Sequence, residues 1–231
     1  MTPATNYPPR YGRWVDSFLE RAIAEVREGI EVLDVGSGPR PSIPPAKRPR
    51  KCRYVGLDIS VEELGKAPEG CYDDIFVSDV VESVAALTEQ FDLVVSWQVL
   101  EHVKPLEVAL ENVRSYLRPG GRFVATLSGR FSAFGVVNQI IPGEWGVKAM
   151  HRLLGRRPDT VFPAYYDKCW YSALKTLMAP WRQVEILPFY IGASYFSFSK
   201  VLLRAYLRYE NWVCNRGYVN LATHYLIDAR K

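Results

Sequence analysis

Two aspartates and two glycines have the types and spacing that could bind a nucleotide-like ligand. Asp34 lies near the end of the apolar run Val32–Val35, and Gly36 and Gly38 follow that run. Asp58 ends a second apolar run, near the ~20-residue spacing at which an acid follows a glycine turn and meets a ribose hydroxyl. The third glycine of the dinucleotide-binding pattern is absent, so the glycine turn alone is a weak signal.

Buried strands must place these residues at one edge of a sheet. Val32, Leu33 and Val35 suit a strand buried on both faces, and Tyr54–Ile59 suits a second. Ligands of open α/β sheets bind beyond the carboxyl ends of the strands, where both acids would lie. A carboxylate so close to a buried strand is costly unless another group pairs with it, so Asp34 is expected to have a partner.

The segment between these two strands is rich in proline. Because proline inside a helix costs ~3 kcal/mol, no ordinary crossover helix can form there. We predict an irregular or single-turn connection. The prolines are Pro39, Pro41, Pro44, Pro45 and Pro49.

The remaining chain alternates strand and helix patterns, which predicts a parallel, doubly wound sheet. Further strands are predicted at 75–77, 93–96, 122–127, 184–187 and 218–227. Helices are predicted at 14–27, from Ser60 to a point before Pro68, and at 80–90, 105–117, 145–154, 170–178 and 195–213.

Five segments resemble, in order, the motifs of class I S-adenosylmethionine-dependent methyltransferases of the type 11-like group. They are Val32–Gly38, Val55–Ser60, Val77–Val80, Phe91–Val103 and Leu117–Val124. The resemblance implies an α/β fold with a doubly wound, mostly parallel seven-stranded sheet of Rossmann-like type. Its last strand would be antiparallel, and the segment after the fifth strand would form a helical insert.

The same resemblance implies S-adenosylmethionine as cofactor and assigns residues to it. Asp34, Gly36, Ser37 and Gly38 would hold the methionine portion. Asp58 would accept from both ribose hydroxyls, since a carboxylate accepts two donors at once. Ile59 would pack on the adenine, Asp79 with Val80 would meet its amino group, and Ser96, Trp97 and Gln98 would line the site. Trp97 is equally consistent with a core aromatic.

The proton acceptor is less clearly indicated. His102 follows the fourth strand and Tyr166 follows the insert, and these two are the candidate catalytic residues. A structural histidine that caps the following turn is the alternative for His102. Some methyltransferases need no base, because positioning supplies most of the acceleration.

Composition and charge predict a soluble protein and argue against a nucleic-acid partner. The net charge is +4, the basic residues are spread out, and the base-methylating motif is absent after the fourth strand, so nucleic acid is not expected. The four cysteines form no C-x-x-C pair, and no metal is predicted. The polar N-terminus and the lack of a long apolar run predict a cytoplasmic protein.

Aromatic and basic residues are mixed in the insert and in 195–213, where Lys200, Arg204 and Arg208 share one helix face. This mixture suggests a small-molecule, lipid or glycan precursor acceptor, methylated on oxygen, and leaves peripheral membrane contact open. An ordinary core helix with a solvated basic face is the alternative.

We expect one methyltransferase domain over 1–231. It would comprise an N-terminal helical segment (1–29), a cofactor-binding core (30–128), a lid or acceptor insert (129–168) and a C-terminal part with the amphipathic helix (169–231). Two other functions stay open: a non-catalytic cofactor- or partner-binding protein, and an NAD-dependent oxidoreductase.

Overall fold

The computed structural model describes residues 7–132, 135–136, 139 and 163–231. Its strands form one seven-stranded sheet in the order β3-β2-β1-β4-β5-β7-β6. The strands are β1 Glu31–Val35, β2 Arg53–Asp58, β3 Asp74–Val77, β4 Phe91–Trp97, β5 Leu117–Ser128, β6 Arg182–Phe189 and β7 His224–Arg230. Strand β7 is antiparallel to both of its neighbours, β5 and β6, as the resemblance implied. The expected α/β fold class with its mostly parallel seven-stranded sheet is therefore confirmed, and the helical insert expected after the fifth strand lies mostly outside the described residues.

Five helices are described around this sheet. They are α1 Arg13–Ile23, α2 Val61–Gly65, α3 Leu106–Tyr116, α4 Tyr171–Leu177 and α5 Lys200–Asn215. Alternate residues of β1 point to opposite faces: Val32 packs with Trp14 and Phe18 of α1, whereas Leu33 packs in the cluster that contains α3 and α4. The central strands β1, β2 and β4 are buried on both faces, which is why they read as continuous apolar runs, whereas the edge strands β3 and β6 are partly exposed.

The proline-rich connection has only a 3₁₀ turn at Pro45–Lys47, as predicted. Ser60 caps α2 through its hydroxyl, which accepts a hydrogen bond from the Glu63 amide at 3.2 Å. Helix α5 lies between β6 and β7, so the helix predicted at 195–213 between the last two strands is confirmed.

The helix predicted at 80–90 is wrong: only Ala85–Leu87 forms a short 3₁₀ turn. Side chains of α3 replace the helical hydrogen bonds, because Tyr116 accepts from the Val84 amide at 3.1 Å and Asn112 donates to the Val80 carbonyl at 2.9 Å. These partners lie about thirty residues away, beyond the reach of a local pattern.

Three boundaries also differ. Helix α1 ends at Ile23, before the predicted end at 27. Helix α5 begins at Lys200, after a 3₁₀ segment at Gly192–Phe196, and β7 begins at His224 rather than at 218. The helix predicted at 145–154 lies outside the described residues. Among the helices that are described, none has the length and apolar character of a membrane span.

Candidate functional site

The turn after β1 requires glycine. Gly36 has φ +71°, and its amide donates to the Leu57 carbonyl at 2.7 Å, which ties the turn to β2. A Cβ atom on Gly36 would overlap the methyl carbons of Val99. Gly38 also has a positive φ, +49°, and its amide faces the end of β2. The left-handed backbone conformation at both positions, and the close approach of Val99 to Gly36, therefore favour glycine over residues with a side chain.

Asp58 at the end of β2 holds this turn with its carboxylate. Its Oδ2 accepts from the Gly38 amide at 2.9 Å, and its Oδ1 accepts from the Ser60 amide at 2.9 Å. Burial raises the pKa of the Asp58 carboxyl. Each oxygen retains a second lone pair, so a diol at this edge could be bound by an acid that the turn already orients.

An apolar surface lies beside this acid. The Ile59 side chain is 64% exposed, although it follows a buried strand. The Ser78 amide donates to the Asp58 carbonyl at 3.0 Å and brings the next loop alongside, where Asp79 accepts from the Val81 amide at 3.1 Å and Val80 is buried. An exposed aliphatic side chain next to an acid loop suits a flat heterocycle with an amino group.

Asp34 is placed differently from the other acid. It is fully buried, its Oδ2 accepts from the Ser42 amide at 2.6 Å and from the Tyr54 hydroxyl at 2.7 Å, and its Oδ1 accepts from the Ser42 hydroxyl at 2.6 Å. Burial raises the pKa of Asp34 to about 6, although the three hydrogen bonds, which favour the charged carboxylate, act to lower it. The guanidinium of Arg48 lies 3.3 Å from the Tyr54 ring centroid and donates to the Ile43 carbonyl.

Asp34 therefore binds the proline-rich connection, and the direct ligand contact expected from the sequence does not fit this burial. Its partner, which the cost of a buried carboxylate predicted, is Ser42 together with Tyr54. The connection is held by these polar contacts in place of a helix. Sequence reasoning missed Ser42, Tyr54 and Arg48, since nothing in their spacing marks them as partners.

The three residues expected to line the site after β4 occupy different environments. The Ser96 hydroxyl is buried and donates to the Val35 carbonyl at 3.0 Å, which joins β4 to β1. Trp97 packs against Trp14 and Phe18, with ring centroids 5.4 Å and 4.8 Å away, so it is a core aromatic. Gln98 has φ +57°, and its Oε1 accepts from a serine hydroxyl, that of Ser128, at 3.0 Å.

Three buried polar atoms near the ends of β1 and β4 have no hydrogen-bond partner in the part of the chain that the structure describes. They are Ser37 Oγ, Gln98 Nε2 and Glu101 Oε2. Unpaired buried polar groups are rare and costly, so such a group is expected to meet a water or a ligand. A hydroxyl, an amide donor and a carboxyl oxygen are each of a type that can hydrogen-bond an amino-acid group.

The two catalytic candidates have structural contacts. His102 Nδ1 lies 2.9 Å from the Pro163 carbonyl oxygen, and since a carbonyl only accepts, Nδ1 donates to it. Tyr166 is 3% exposed, and its amide donates to the Glu101 carbonyl at 2.9 Å. Glu101, which sequence reasoning did not select, is buried; its Oε1 accepts from the Ser128 amide at 3.2 Å, and burial raises its pKa.

No cluster of three or more histidine, cysteine or acidic residues within the described ranges is arranged to hold a metal ion. Strands β1, β2 and β4 are parallel neighbours, so the polar groups at their carboxyl ends lie at one edge of the sheet. The space beyond this edge, next to Asp58, is the candidate crevice.

Comparison with known proteins agrees with this geometry. The family model described as methyltransferase domain matches residues 8–176. A ubiquinone biosynthesis O-methyltransferase of Chelativorans sp. is 30% identical over 131 residues, which cover 54% of this chain and 50% of that protein. The chain thus spans about half the length of the curated relatives it matches.

Two solved structures share the fold. Phosphoethanolamine N-methyltransferase 2 of Haemonchus contortus, in complex with S-adenosyl-L-methionine, has a TM-score of 0.58 and 14% identity, over 96% of this chain and 56% of that one. A SAM-dependent methyltransferase from Archaeoglobus fulgidus has a TM-score of 0.53 and 19% identity, over 94% and 93%.

Proposed function

We propose that this chain, which belongs to the methyltransferase-domain family, transfers a methyl group from S-adenosylmethionine to an oxygen atom of a small-molecule acceptor. The family inferred from the five sequence motifs is confirmed by a model match over residues 8–176. The same match supports the expected cofactor.

The observation that carries the proposal is the Asp58 clamp. Its carboxylate is held by the Gly38 and Ser60 amides, both at 2.9 Å, beside the exposed side chain of Ile59. An acid fixed in this way is preorganised for a ribose diol, and the isoleucine offers an apolar surface to the attached base. A nucleoside is a ligand that needs both a diol acceptor and an apolar surface for its base.

Each proposed residue has a role that its contacts support. Asp58 binds the ribose, Ile59 packs on the adenine, and Asp79 with Val80 meets the adenine edge. The Gly36–Gly38 turn admits the methionine portion, which Ser37 Oγ and Gln98 Nε2 would hydrogen-bond. Asp34 positions the turn through the proline-rich connection, and Ser96 and Trp97 support it from the core.

When bound, S-adenosylmethionine supplies an electrophilic methyl group on its sulfonium. The chain contributes by holding the acceptor oxygen in line and by excluding water, since positioning supplies most of the acceleration. If a proton must be removed, His102 Nε2 is the proposed acceptor, because the Pro163 carbonyl fixes the proton on Nδ1. Tyr166 would act only through its contacts with the segment around Glu101.

We infer oxygen as the attacked atom from relatives named O-methyltransferase, which are about 30% identical to this chain. The proposed small-molecule acceptors include lipid and glycan precursors. The second candidate is a non-catalytic member of the family. It is favoured because a polar connection replaces the first crossover helix, so the positive N-terminal dipole of that helix is missing from the crevice.

The test is mass spectrometry of a cell extract incubated with the protein and a methyl donor carrying an isotopically labelled methyl group. We expect one or more acceptors to gain the label, and the gain to fall strongly with the Asp58→Ala variant. Label that enters no compound, while the protein still binds the donor, would reject catalysis in favour of the non-catalytic candidate.

A further inference from the structure

We propose that helix α5 docks this protein on an anionic lipid bilayer. The outer face of α5 carries apolar and aromatic side chains that the fold leaves in solvent. They are Val201 (76% exposed), Leu202 (46%), Tyr209 (37%) and Trp212 (49%), with Phe198 (48%) just before the helix and Tyr218 (43%) after it. Apolar groups collected on one helix face in solvent mark an interaction surface rather than scattered exposure.

The opposite face of the same helix is firmly attached to the fold. Leu203 and Tyr206 are buried, and Glu210 is 1% exposed. The Glu210 carboxylate accepts from the Gly192 amide at 2.5 Å, from Arg10 at 3.1 Å and from the Tyr11 hydroxyl. The buried face of α5 already attaches the helix to the rest of the fold. The exposed face is therefore not needed to pack the helix against the sheet.

The outer face is also basic. Three cations of α5 and the one that follows it form no ion pair with any other residue that the structure describes: Lys200, Arg204 and Arg208, and Arg216 after the helix. Glu210, the only acid of α5, is buried on the core face. At 100° per residue, Arg204 and Arg208 lie along one border of the row that contains Val201 and Trp212. Uncompensated cations that border an apolar row are complementary to anionic headgroups above acyl chains.

The side chains suit a bilayer interface better than an acidic protein. Tyr209, Trp212 and Tyr218 form a row of ring contacts, with centroids 6.3 Å and 5.2 Å apart. Tyrosine and tryptophan concentrate at headgroup level because their rings are apolar and their tips polar. Arginine can keep its head among phosphates while its stem covers acyl chain.

The position of α5 gives the docking a consequence. Phe189 at the end of β6 pairs with His224 at the start of β7, which also pairs with Ser128 at the end of β5. The chain between Phe189 and His224, which contains α5, therefore leaves and rejoins the sheet at the edge where the Asp58 crevice lies. If the proposed function holds, docking brings the crevice to the surface where an amphipathic acceptor would reside.

The test is co-sedimentation of the full chain with vesicles of phosphatidylcholine alone and of phosphatidylcholine with about 30% phosphatidylglycerol. We expect binding to the anionic vesicles that weakens with salt. In the variant R204Q/R208Q/R216Q, we expect about fivefold weaker partition per cation removed, from about 1 kcal/mol for each basic residue near such a surface. The three changes together would weaken partition by about 100-fold.

The matched control is K47Q/R50Q/K51Q. It removes the same charge from exposed residues of the proline-rich connection. Lys51 lies at the opposite edge of the sheet from α5, because its carbonyl accepts from the Gly29 amide just before β1. We expect this control to bind as the unchanged protein does, and circular dichroism to be alike for all three.

A second variant, W212S, tests insertion rather than charge. We expect at least tenfold weaker partition to anionic vesicles. Equal losses in the control and the α5 charge variant, or no binding to anionic vesicles, would overturn the proposal. Because the readout is sedimentation, it stands whether or not the chain transfers methyl groups.

Discussion

Removal of the Asp58 carboxylate tests the cofactor crevice most sharply. The acid is oriented by two amides at 2.9 Å, so it loses little freedom when a ligand binds. A hydrogen bond to a charged group contributes roughly 1.5–3 kcal/mol. Since solvent reaches part of this site, we expect Asp58→Ala to weaken S-adenosylmethionine binding by about 1–3 kcal/mol, or roughly 5- to 150-fold.

Affinity loss alone could come from a disturbed turn, because Asp58 also holds Gly38 and Ser60. Titration calorimetry is therefore run as a cycle: unchanged protein and Asp58→Ala, each against S-adenosylhomocysteine and its 2′-deoxy analogue. If the carboxylate binds the diol, the missing hydroxyl weakens binding to the unchanged protein but scarcely affects the variant. The coupling should reach about 1 kcal/mol.

Equal penalties for the deoxy analogue in both proteins would refute the reasoning, as would an unchanged dissociation constant in Asp58→Ala. Asp58→Asn serves as the fold control, since it preserves the size of the side chain and one acceptor. Near-UV circular dichroism of the three ligand-free proteins should coincide.

Three further changes concern stability, measured by chemical denaturation. Gly36→Ala should lower the unfolding free energy by about 2–4 kcal/mol, since it adds left-handed strain and an overlap with Val99. Burial raises the pKa of Asp34 from 3.8 to about 6, so the folded state binds that proton more tightly and loses stability as pH rises through this window. Asp34→Asn should remove that loss of about 3 kcal/mol, so the free energy of unfolding of the variant should rise relative to that of the unchanged protein as pH rises. Burial lowers the pKa of His224 from 6.5 to about 4, so the stability present above pH 6.5 is lost as pH falls, and His224→Gln should remove that loss of about 3 kcal/mol.

Each of these changes has its own control. Gly38→Ala also adds left-handed strain, but its Cβ would lie 3.7 Å from the nearest atom, so it should cost less than Gly36→Ala. Equal costs would remove the overlap with Val99 from the account. The effects of Asp34 and His224 oppose each other over the same pH range. Stability curves of either variant that run parallel to that of the unchanged protein would contradict the assignment.

Local pattern was enough to locate most of the sheet and the glycine turn. The strands around Asp34 and Asp58 are continuous apolar runs because both faces are covered, and the Gly36–Gly38 spacing reflects a backbone shape that other residues cannot adopt. The lack of a first crossover helix followed from the prolines alone. These features depend on neighbours in sequence, and they could be predicted from it.

What the sequence did not reveal depends on distant partners. The segment after β3 was expected to be helical, but Asn112 and Tyr116 of α3 satisfy its backbone instead. Asp34 was expected at the ligand, but Ser42 and Tyr54 bind it inside the fold. Trp97 fitted either a core or a site role until its contact with α1 was seen.

The most direct measurement of the central claim is calorimetric titration of the purified chain with S-adenosylmethionine and, separately, with NADH. We expect saturable binding of S-adenosylmethionine at one site per chain, lost in large part in Asp58→Ala, and no binding of NADH. Tight binding of NADH without binding of the sulfonium would contradict this expectation and would assign the crevice to an oxidoreductase.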